Sequence, residues 1–125
     1  ESVTYYFAES IDHLGSLGID TSEFIATGGG AKSDAWLQIK ADILGVPYVR
    51  LSTTEGSLAG AAMLAGLGTG VYATPQEGVE RFVSRESVFE PDSRRHTLYR
   101  ERLGRYRELF PLMHGFLSSA QSTGA

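Results

Sequence analysis

The sequence predicts an α/β fold with a βαβ core flanked by helices. Two short apolar runs, at residues 23–27 and 48–51, have the length and composition of buried strands. The segment between them carries apolar residues at helical spacing, so it joins the two strands as a crossover helix and makes them parallel. Because two strands alone make a poor sheet, we expect further strands from other sequence or from a partner.

Composition places the chain among globular proteins and excludes several other classes. Its 125 residues suffice for one domain, and 42% of them are hydrophobic and 21% charged. The sequence has no cysteine, which excludes a disulfide framework and a thiolate nucleophile or metal site, and favours a cytoplasmic location. No signal peptide is visible, and the most apolar stretch, residues 58–67, is about half as long as a membrane span, so no membrane partner is predicted.

The formal net charge of -4 is unevenly distributed, because residues 94–125 carry six arginines and only two glutamates. A basic end of this kind can bind nucleic acid. Arginine stems that pack along a solvated helix face are the alternative explanation. We favour the second interpretation, since no aromatic platform or RNA-binding motif accompanies the arginines, and we predict no nucleic-acid partner.

The first helix is predicted over residues 1–17 from a single apolar stripe with spacings of three and four. The stripe consists of Val3, Phe7, Ile11, Leu14 and Leu17. No capping residue precedes this helix, so we expect the chain to begin inside a larger protein.

The crossover helix is predicted to begin at Ser33 or Asp34, either of which can act as its N-cap, and to run to about Leu44. Gly45 ends it. Its inner face carries Trp36, Ile39 and Ile43.

Three more helices are predicted after the second strand. Residues 55–67 are rich in glycine and alanine, whose small side chains allow close backbone approach, so this helix is predicted to be deeply packed. Residues 74–77, Thr-Pro-Gln-Glu, form a capping box that starts the next helix. The last helix is predicted over residues 94–110, with Leu98, Leu103, Tyr106 and Phe110 pointing inward. The predicted domain covers residues 1–113, and residues 114–125 form a predicted disordered tail.

The candidate ligand site is the loop Gly28-Gly29-Gly30 between the first strand and the crossover helix. Glycine lets a ligand approach the backbone, and a helix N-terminus attracts anions such as phosphate. A Walker A loop is excluded, because Ala26 and Ala31 stand where that motif needs glycine. The dinucleotide fingerprint matches only in part, because Ser33 replaces its third glycine.

The loop and its surroundings resemble the FGGY family of carbohydrate kinases. Residues 27–36, TGGGAKSDAW, with Gln38 and Ala41-Asp42 after them, resemble the adenosine-loop motif of that family. Residues 57–65 resemble its LGAA helix, and residues 99–111 resemble the YR-x-LYP tail of the xylulokinase branch, with phenylalanine in place of the usual tyrosine. The resemblance covers residues 1–113, in the family's order, and is strongest to the xylulokinases.

The resemblance implies a fold, a chemistry and a set of site residues. FGGY kinases have two actin-like domains of the ribonuclease H-like fold, of which the C-terminal one mainly holds ATP and the N-terminal one the sugar. Mg²⁺-ATP is the implied cofactor, and ATP, ADP and a sugar, D-xylulose or a related pentulose, are the implied partners. The nucleotide-binding residues that the resemblance implies are Gly28, Gly29, Gly30, Ala31, Lys32 and Asp34. The family's catalytic carboxylate lies upstream of this region, so no catalytic or metal-binding residue is expected here, and the chain alone is expected to be inactive.

Structural explanations exist for the same residues. A tight strand-to-helix turn would explain the three glycines without a ligand, and an acid in the first turn of the helix would explain Asp34. Lys32 is better explained as a solvated lysine than as a phosphate contact. Trp36 is better explained as a core residue than as an adenine platform. At the level of function, the alternatives are a non-catalytic Rossmann-like nucleotide-binding module and an interaction module. The first of these needs a third glycine in the loop, or an acid after the second strand to hold a ribose. Ser33 stands at the position of the third glycine, and residues 50–53 contain no acid. An open sheet edge favours a homo-oligomer.

Overall fold

The computed structural model of the chain describes residues 1–53 and 55–122, with side chains up to residue 114 except that of residue 110. In chain order, the helices and strands are α1 (Ser2–Ser16), β1 (Phe24–Ala26), a 3-10 turn (Gly29–Lys32), α2 (Asp34–Leu44), β2 (Tyr48–Leu51), α3 (Gly56–Gly68), α4 (Pro75–Phe82), β3 (Arg85–Phe89) and α5 (Ser93–Ser122).

The described strands form one sheet in the order β1-β2-β3. β1 and β2 are parallel, with Phe24 opposite Tyr48, which confirms the predicted βαβ core. β3 is antiparallel to β2, with Val88 opposite Val49. β3 was not predicted from the sequence, because Arg85-Glu86-Ser87-Val88-Phe89 has too few apolar residues to show strand periodicity.

α2 lies between the sheet and the two terminal helices. Leu37 and Ala41 of α2 belong to a buried cluster with the sheet residues Ala26 and Tyr48. On its other side, Ile43 belongs to a second buried cluster with residues of α1 and α5. That cluster consists of Tyr5, Ala8, Ile43 and Leu103. The position of the loop before α2 is therefore fixed by a helix that is packed on both sides.

Most of the apolar stripe predicted to be the buried face of α1 is exposed in the structure. Of its five residues only Ile11 is buried, whereas the residues that α1 buries beside it are Thr4, Tyr5 and Ala8. Tyr5 packs between Tyr99 and Tyr106 of α5, which determines the buried face. We call the exposed side chains the α1 apolar face: Val3, Tyr6, Phe7, Leu14 and Leu17.

The uneven charge of the chain is explained by the pairing of α1 with α5. Arg107 of α5 forms ion pairs with Glu9 and Asp12 of α1, and Arg102 pairs with Glu1. The basic end of the sequence thus lies against its acidic beginning, which agrees with the favoured interpretation of the arginines as a helix surface.

The prediction that α3 is deeply packed is wrong for the described structure. Ala59 is its one buried residue, and Leu58 and Leu64 are both 72% exposed. α3 packs mainly against α4, and the absence of a side chain at Gly66 leaves room for the ring of Tyr72. Of the glycines in α3, only Gly66 thus makes room for a neighbouring side chain, while a Cβ atom at Gly56, Gly60 or Gly68 would meet nothing within 4 Å.

The predicted start of α4 is confirmed. Thr74 Oγ1 accepts a hydrogen bond from Glu77 N at 3.3 Å, and Glu77 Oε2 accepts one from Ala73 N at 2.9 Å. This is the reciprocal pattern of a capping box, except that Glu77 accepts its hydrogen bond from Ala73, the residue before the N-cap, and not from the N-cap itself.

α5 is longer than predicted. It runs to Ser122 and contains Pro111, so the predicted disorder of residues 114–122 is wrong and helix stands there. The predicted inward side chain of Phe110 and the predicted disorder of residues 123–125 lie outside the described residues. In the part of the chain that the structure describes, no helix has both the length and the apolar character needed to cross a membrane.

Candidate nucleotide-binding loop

The loop after β1 has a backbone that requires glycine at one position. Gly28 has φ 73° and ψ -168°, a conformation that residues with a side chain rarely adopt. The chain then enters the 3-10 turn, which Ala31 closes by donating its N–H to the Gly28 carbonyl at 3.0 Å. Ala31 is buried, so the loop is fixed to the sheet at this end.

Ser33, and not Asp34, is the N-cap of α2. The Ser33 hydroxyl oxygen accepts a hydrogen bond from Trp36 N at 3.3 Å, and the Ser33 carbonyl accepts one from Leu37 N at 3.0 Å. Asp34 is the first helical residue. The positive end of the α2 dipole therefore lies directly beside the glycine loop, which is the arrangement that favours an anion.

The two remaining glycines face different surroundings. A Cβ atom at Gly29 would meet nothing within 4 Å, so this side of the loop is open. A Cβ atom at Gly30 would lie 3.6 Å from the indole ring of Trp36. A ligand that approaches the loop backbone therefore has free space at Gly29, while the indole ring of Trp36 limits the space at Gly30.

Asp34 does not stand free beside the loop. Its carboxylate Oδ1 accepts a hydrogen bond from Arg50 Nη1 at 2.5 Å, and the same nitrogen donates to the Ala31 carbonyl at 3.4 Å. Asp34 raises the pKa of the Arg50 guanidinium through this bond. Arg50 thereby connects the end of the 3-10 turn to the first residue of α2.

Lys32 lies at the rim of the site. Its Nζ forms an ion pair with Glu55 Oε1 at 3.3 Å, and both side chains are well exposed. Such surface pairs contribute little to stability. The favoured interpretation of Lys32 as a solvated lysine agrees with this position.

On the other side of the loop, an apolar groove of about 430 Å³ runs along β1. Trp36 lines it and is partly buried, and Lys40 lies over the rings of Trp36 and Tyr48. Burial lowers the pKa of Lys40 and raises the pKa of Tyr48 to about 12. Trp36 is thus partly buried in the protein and also lines one wall of the open groove.

Within the described ranges, no group of three or more His, Asp or Glu residues is arranged to hold a metal ion. Near the loop, Asp34 is paired with Arg50 and Glu55 with Lys32. These carboxylates therefore do not fit a metal site made by the chain itself.

Two residues, Arg50 beside the loop and Asp42 in the last turn of α2, have structural roles that were not predicted from the sequence. Arg50 was noted only because residues 50–53 contain no acid, although a charged side chain in a buried strand needs a partner and could have been identified by that argument. Asp42 was recognised only as part of a motif. Its carboxylate is buried, and it accepts hydrogen bonds from Gln38 and from the backbone of Asp92 at the start of α5.

Comparison with known proteins agrees with the geometry. A sequence model of the C-terminal domain of the FGGY family of carbohydrate kinases matches residues 1–69. A xylulose kinase of Staphylococcus epidermidis is 38% identical over 110 residues, which is 88% of this chain and 22% of that protein. A glycerol kinase of Koribacter versatilis is 38% identical over 92 residues, 73% of this chain and 18% of its own. The chain thus spans about a fifth of the length of these relatives.

The solved structures confirm the fold. The crystal structure of xylulose kinase from Rhodospirillum rubrum superimposes with a TM-score of 0.73 at 28% identity, and the match covers 91% of this chain and 23% of that one. The predicted α/β fold, as part of an actin-like ATPase domain, is therefore correct. Since the family model covers more than half of the chain and a relative above 30% identity covers most of it, the chain belongs to the FGGY family of carbohydrate kinases.

Proposed function

We propose that this chain is the nucleotide-binding part of an ATP-dependent sugar kinase and that the loop Gly28–Ala31 lies beside the nucleotide. The observation that carries the proposal is the open backbone at Gly29, directly between a positive-φ glycine and the capped N-terminus of α2. A backbone without side chains next to a positive helix end suits a ribose and an α-phosphate.

Each site residue has a role in this proposal. Gly28 provides the turn, Gly29 and Gly30 allow the nucleotide to approach, and Ala31 fixes the loop to the core. Lys32 can exchange its exposed partner Glu55 for phosphate, because the pair is weak. Asp34 borders the nucleoside with its charge already offset by Arg50.

The reaction follows from the kinase family. The sugar hydroxyl attacks the γ-phosphorus, the bond to the β,γ-bridging oxygen breaks, and ADP leaves. We propose that the base that takes the hydroxyl proton belongs to sequence outside these 125 residues. Mg²⁺ arrives with the nucleotide phosphates, and D-xylulose is the proposed sugar because relatives named xylulose kinase match over 88% of the chain.

The test uses Trp36, the single tryptophan of the chain, whose fluorescence reports on the loop. Titration with ADP is expected to change this fluorescence in the wild-type chain. Gly29→Val places a branched side chain in the open space and is expected to weaken ADP binding about tenfold or more, an effect of about 1.4 kcal/mol or above. Gly30→Val is less suitable, because it also disturbs the indole that reports the binding.

The matched control is Gly104→Val on α5, where a Cβ atom also meets nothing within 4 Å. It is expected to bind ADP as the wild type does. Equal affinities of the two variants, with unchanged melting temperatures, would remove the loop from the binding site. The same preparation, incubated with Mg²⁺-ATP and D-xylulose, is expected to release no sugar-dependent ADP.

A further inference from the structure

We propose that Arg50 of β2 is the positioning residue that sets both the shape and the charge of the nucleotide loop. This inference rests on the proposed function, since it concerns the same loop. Arg50 is not among the glycine-loop residues, and its effect on a nucleotide would be exerted through Ala31 and Asp34.

The guanidinium of Arg50 connects the loop to the far strand of the sheet. Nη1 donates to the Asp34 carboxylate and the Ala31 carbonyl, while Nη2 donates to Ser87 Oγ of β3 at 3.1 Å. Nε faces Glu86 Oε1 at 3.5 Å without making a hydrogen bond in the described structure. The planar guanidinium is thus bonded to the loop region on one side and to β3 on the other.

Packing restricts this side chain further. Only 14% of the Arg50 side chain is exposed, and its guanidinium carbon lies 5.4 Å from the centre of the Phe89 ring. A guanidinium presents its donors in a fixed plane, so the positions of Ala31 and Asp34 are coupled to that plane. Through Arg50, the end of the loop is therefore also connected to β3, which lies outside the loop sequence.

Arg50 also determines the charge beside the loop. The Asp34 side chain is 73% exposed and stands at the N-terminus of α2, where a nucleotide phosphate would lie. Without Arg50, this carboxylate would repel the phosphate. With Arg50, the ion pair leaves the positive helix end to act on the ligand.

The experiment measures ADP affinity by Trp36 fluorescence in Arg50→Gln and Arg50→Lys. Arg50→Gln is expected to weaken binding about tenfold, since it removes charge-assisted hydrogen bonds that hold the loop. Arg50→Lys keeps the charge but cannot form the planar fork, so its affinity is expected to lie between those of Arg50→Gln and the wild type. Arg85→Gln is the matched control, because Arg85 pairs with Glu23 at 2.6 Å on the same sheet but does not touch the loop. It is expected to bind as the wild type does.

A double variant separates positioning from general damage to the fold. Adding Asp34→Asn to Arg50→Gln removes the uncompensated carboxylate and is expected to recover part of the lost affinity, about threefold. Wild-type affinity in Arg50→Gln, or no recovery in the double variant, would overturn the proposal. Absence of ADP binding by the wild-type chain would instead overturn the proposed function, and the positioning role with it.

Discussion

At the scale of single residues, Asp42 shows how an acid within an apolar helix can hold two elements together. It is 1% exposed, and its Oδ1 accepts hydrogen bonds from Gln38 Nε2 and Asp92 N, both at 2.9 Å. Arg95 Nε lies 3.3 Å from its other oxygen. The carboxylate thus fixes the start of α5 to the last turn of α2.

Asp42→Ala is expected to destabilise the chain by about 3 kcal/mol, because it leaves buried donors without an acceptor. Urea unfolding at neutral pH measures this difference. Arg95→Gln serves as control and is expected to cost less than about 1 kcal/mol, since the Arg95 side chain is 56% exposed and water can replace its partner. Equal losses in both variants would show that the ion pair, and not the pair of hydrogen bonds, is the important contact.

Prediction from sequence succeeded at residues whose local conformation determines their identity. The glycine break after β1 and the Thr74 cap were predicted correctly, because a glycine turn and a helix start leave signals within a few residues of the chain. The partners of Arg50 and Asp42 were not predicted. Asp34 lies 16 positions from Arg50, and Asp92 lies 50 positions from Asp42, so only the tertiary fold brings them together.

At the scale of elements, the end of α2 is determined by one glycine and one histidine. Gly45 has φ 72° and donates its N–H to the Ala41 carbonyl at 2.8 Å. The ring of His96 lies against it, because His96 Nδ1 is 2.9 Å from the Asp42 carbonyl. A Cβ atom at Gly45 would come within 2.5 Å of this ring.

Gly45→Ala is therefore expected to lower the free energy of unfolding by more than the strain of an alanine in the left-handed conformation. The strain of that conformation is about 1–2 kcal/mol, and displacement of the ring adds about 1–3 kcal/mol. Gly18→Ala is the matched control, since Gly18 has φ 78° but open space at its Cβ position. Thermal melting of both variants measures the difference, and equal shifts would mean that His96 moves aside at no cost.

The helices and strands were predicted unequally well. α2 was found to within one residue at its start and correctly at its end, because serine and glycine mark its two ends. The buried face of α1 was wrong, because it is chosen by Tyr99 and Tyr106 of α5 and not by the most apolar stripe. β3 was missed because its stability comes from pairing with β2, which no local pattern reveals.

At the scale of the whole molecule, the two edges of the sheet differ in character. The edge at β1 adjoins the α1 apolar face and carries the exposed Ile25. The edge at β3 carries the exposed charged residues Arg85 and Glu86. Charged residues protect an edge strand from pairing with another chain, so the β1 edge is the one open to association.

We expect the chain to self-associate through β1 in a concentration-dependent manner. Ile25→Lys is expected to raise the dissociation constant about tenfold or more, because it places a charge on this edge. Val88→Lys on β3, where the original side chain is similarly exposed, is the control and is expected to change little. Light scattering coupled to size-exclusion chromatography measures both. A wild-type chain that stays monomeric at all concentrations would contradict the expectation.

The segment between β2 and β3 has a consequence for chain connectivity. Ser52 donates its N–H to the Ser84 carbonyl, and the hydroxyl groups of the two serines are hydrogen-bonded, both at 2.9 Å. The segment that contains α3 and α4, which we call the excursion, therefore leaves the sheet and returns to it at neighbouring positions. The Ser52–Ser84 hydrogen bonds close this excursion next to the paired strands β2 and β3, which carry the Arg50 contacts. The excursion can therefore differ in length, or shrink to a short turn, without a change of strand register, since loop closure depends only weakly on loop length. Apart from the Lys32–Glu55 ion pair at the start of α3, the contacts described for the nucleotide loop do not involve this excursion, so its length and the geometry of the loop can vary largely independently.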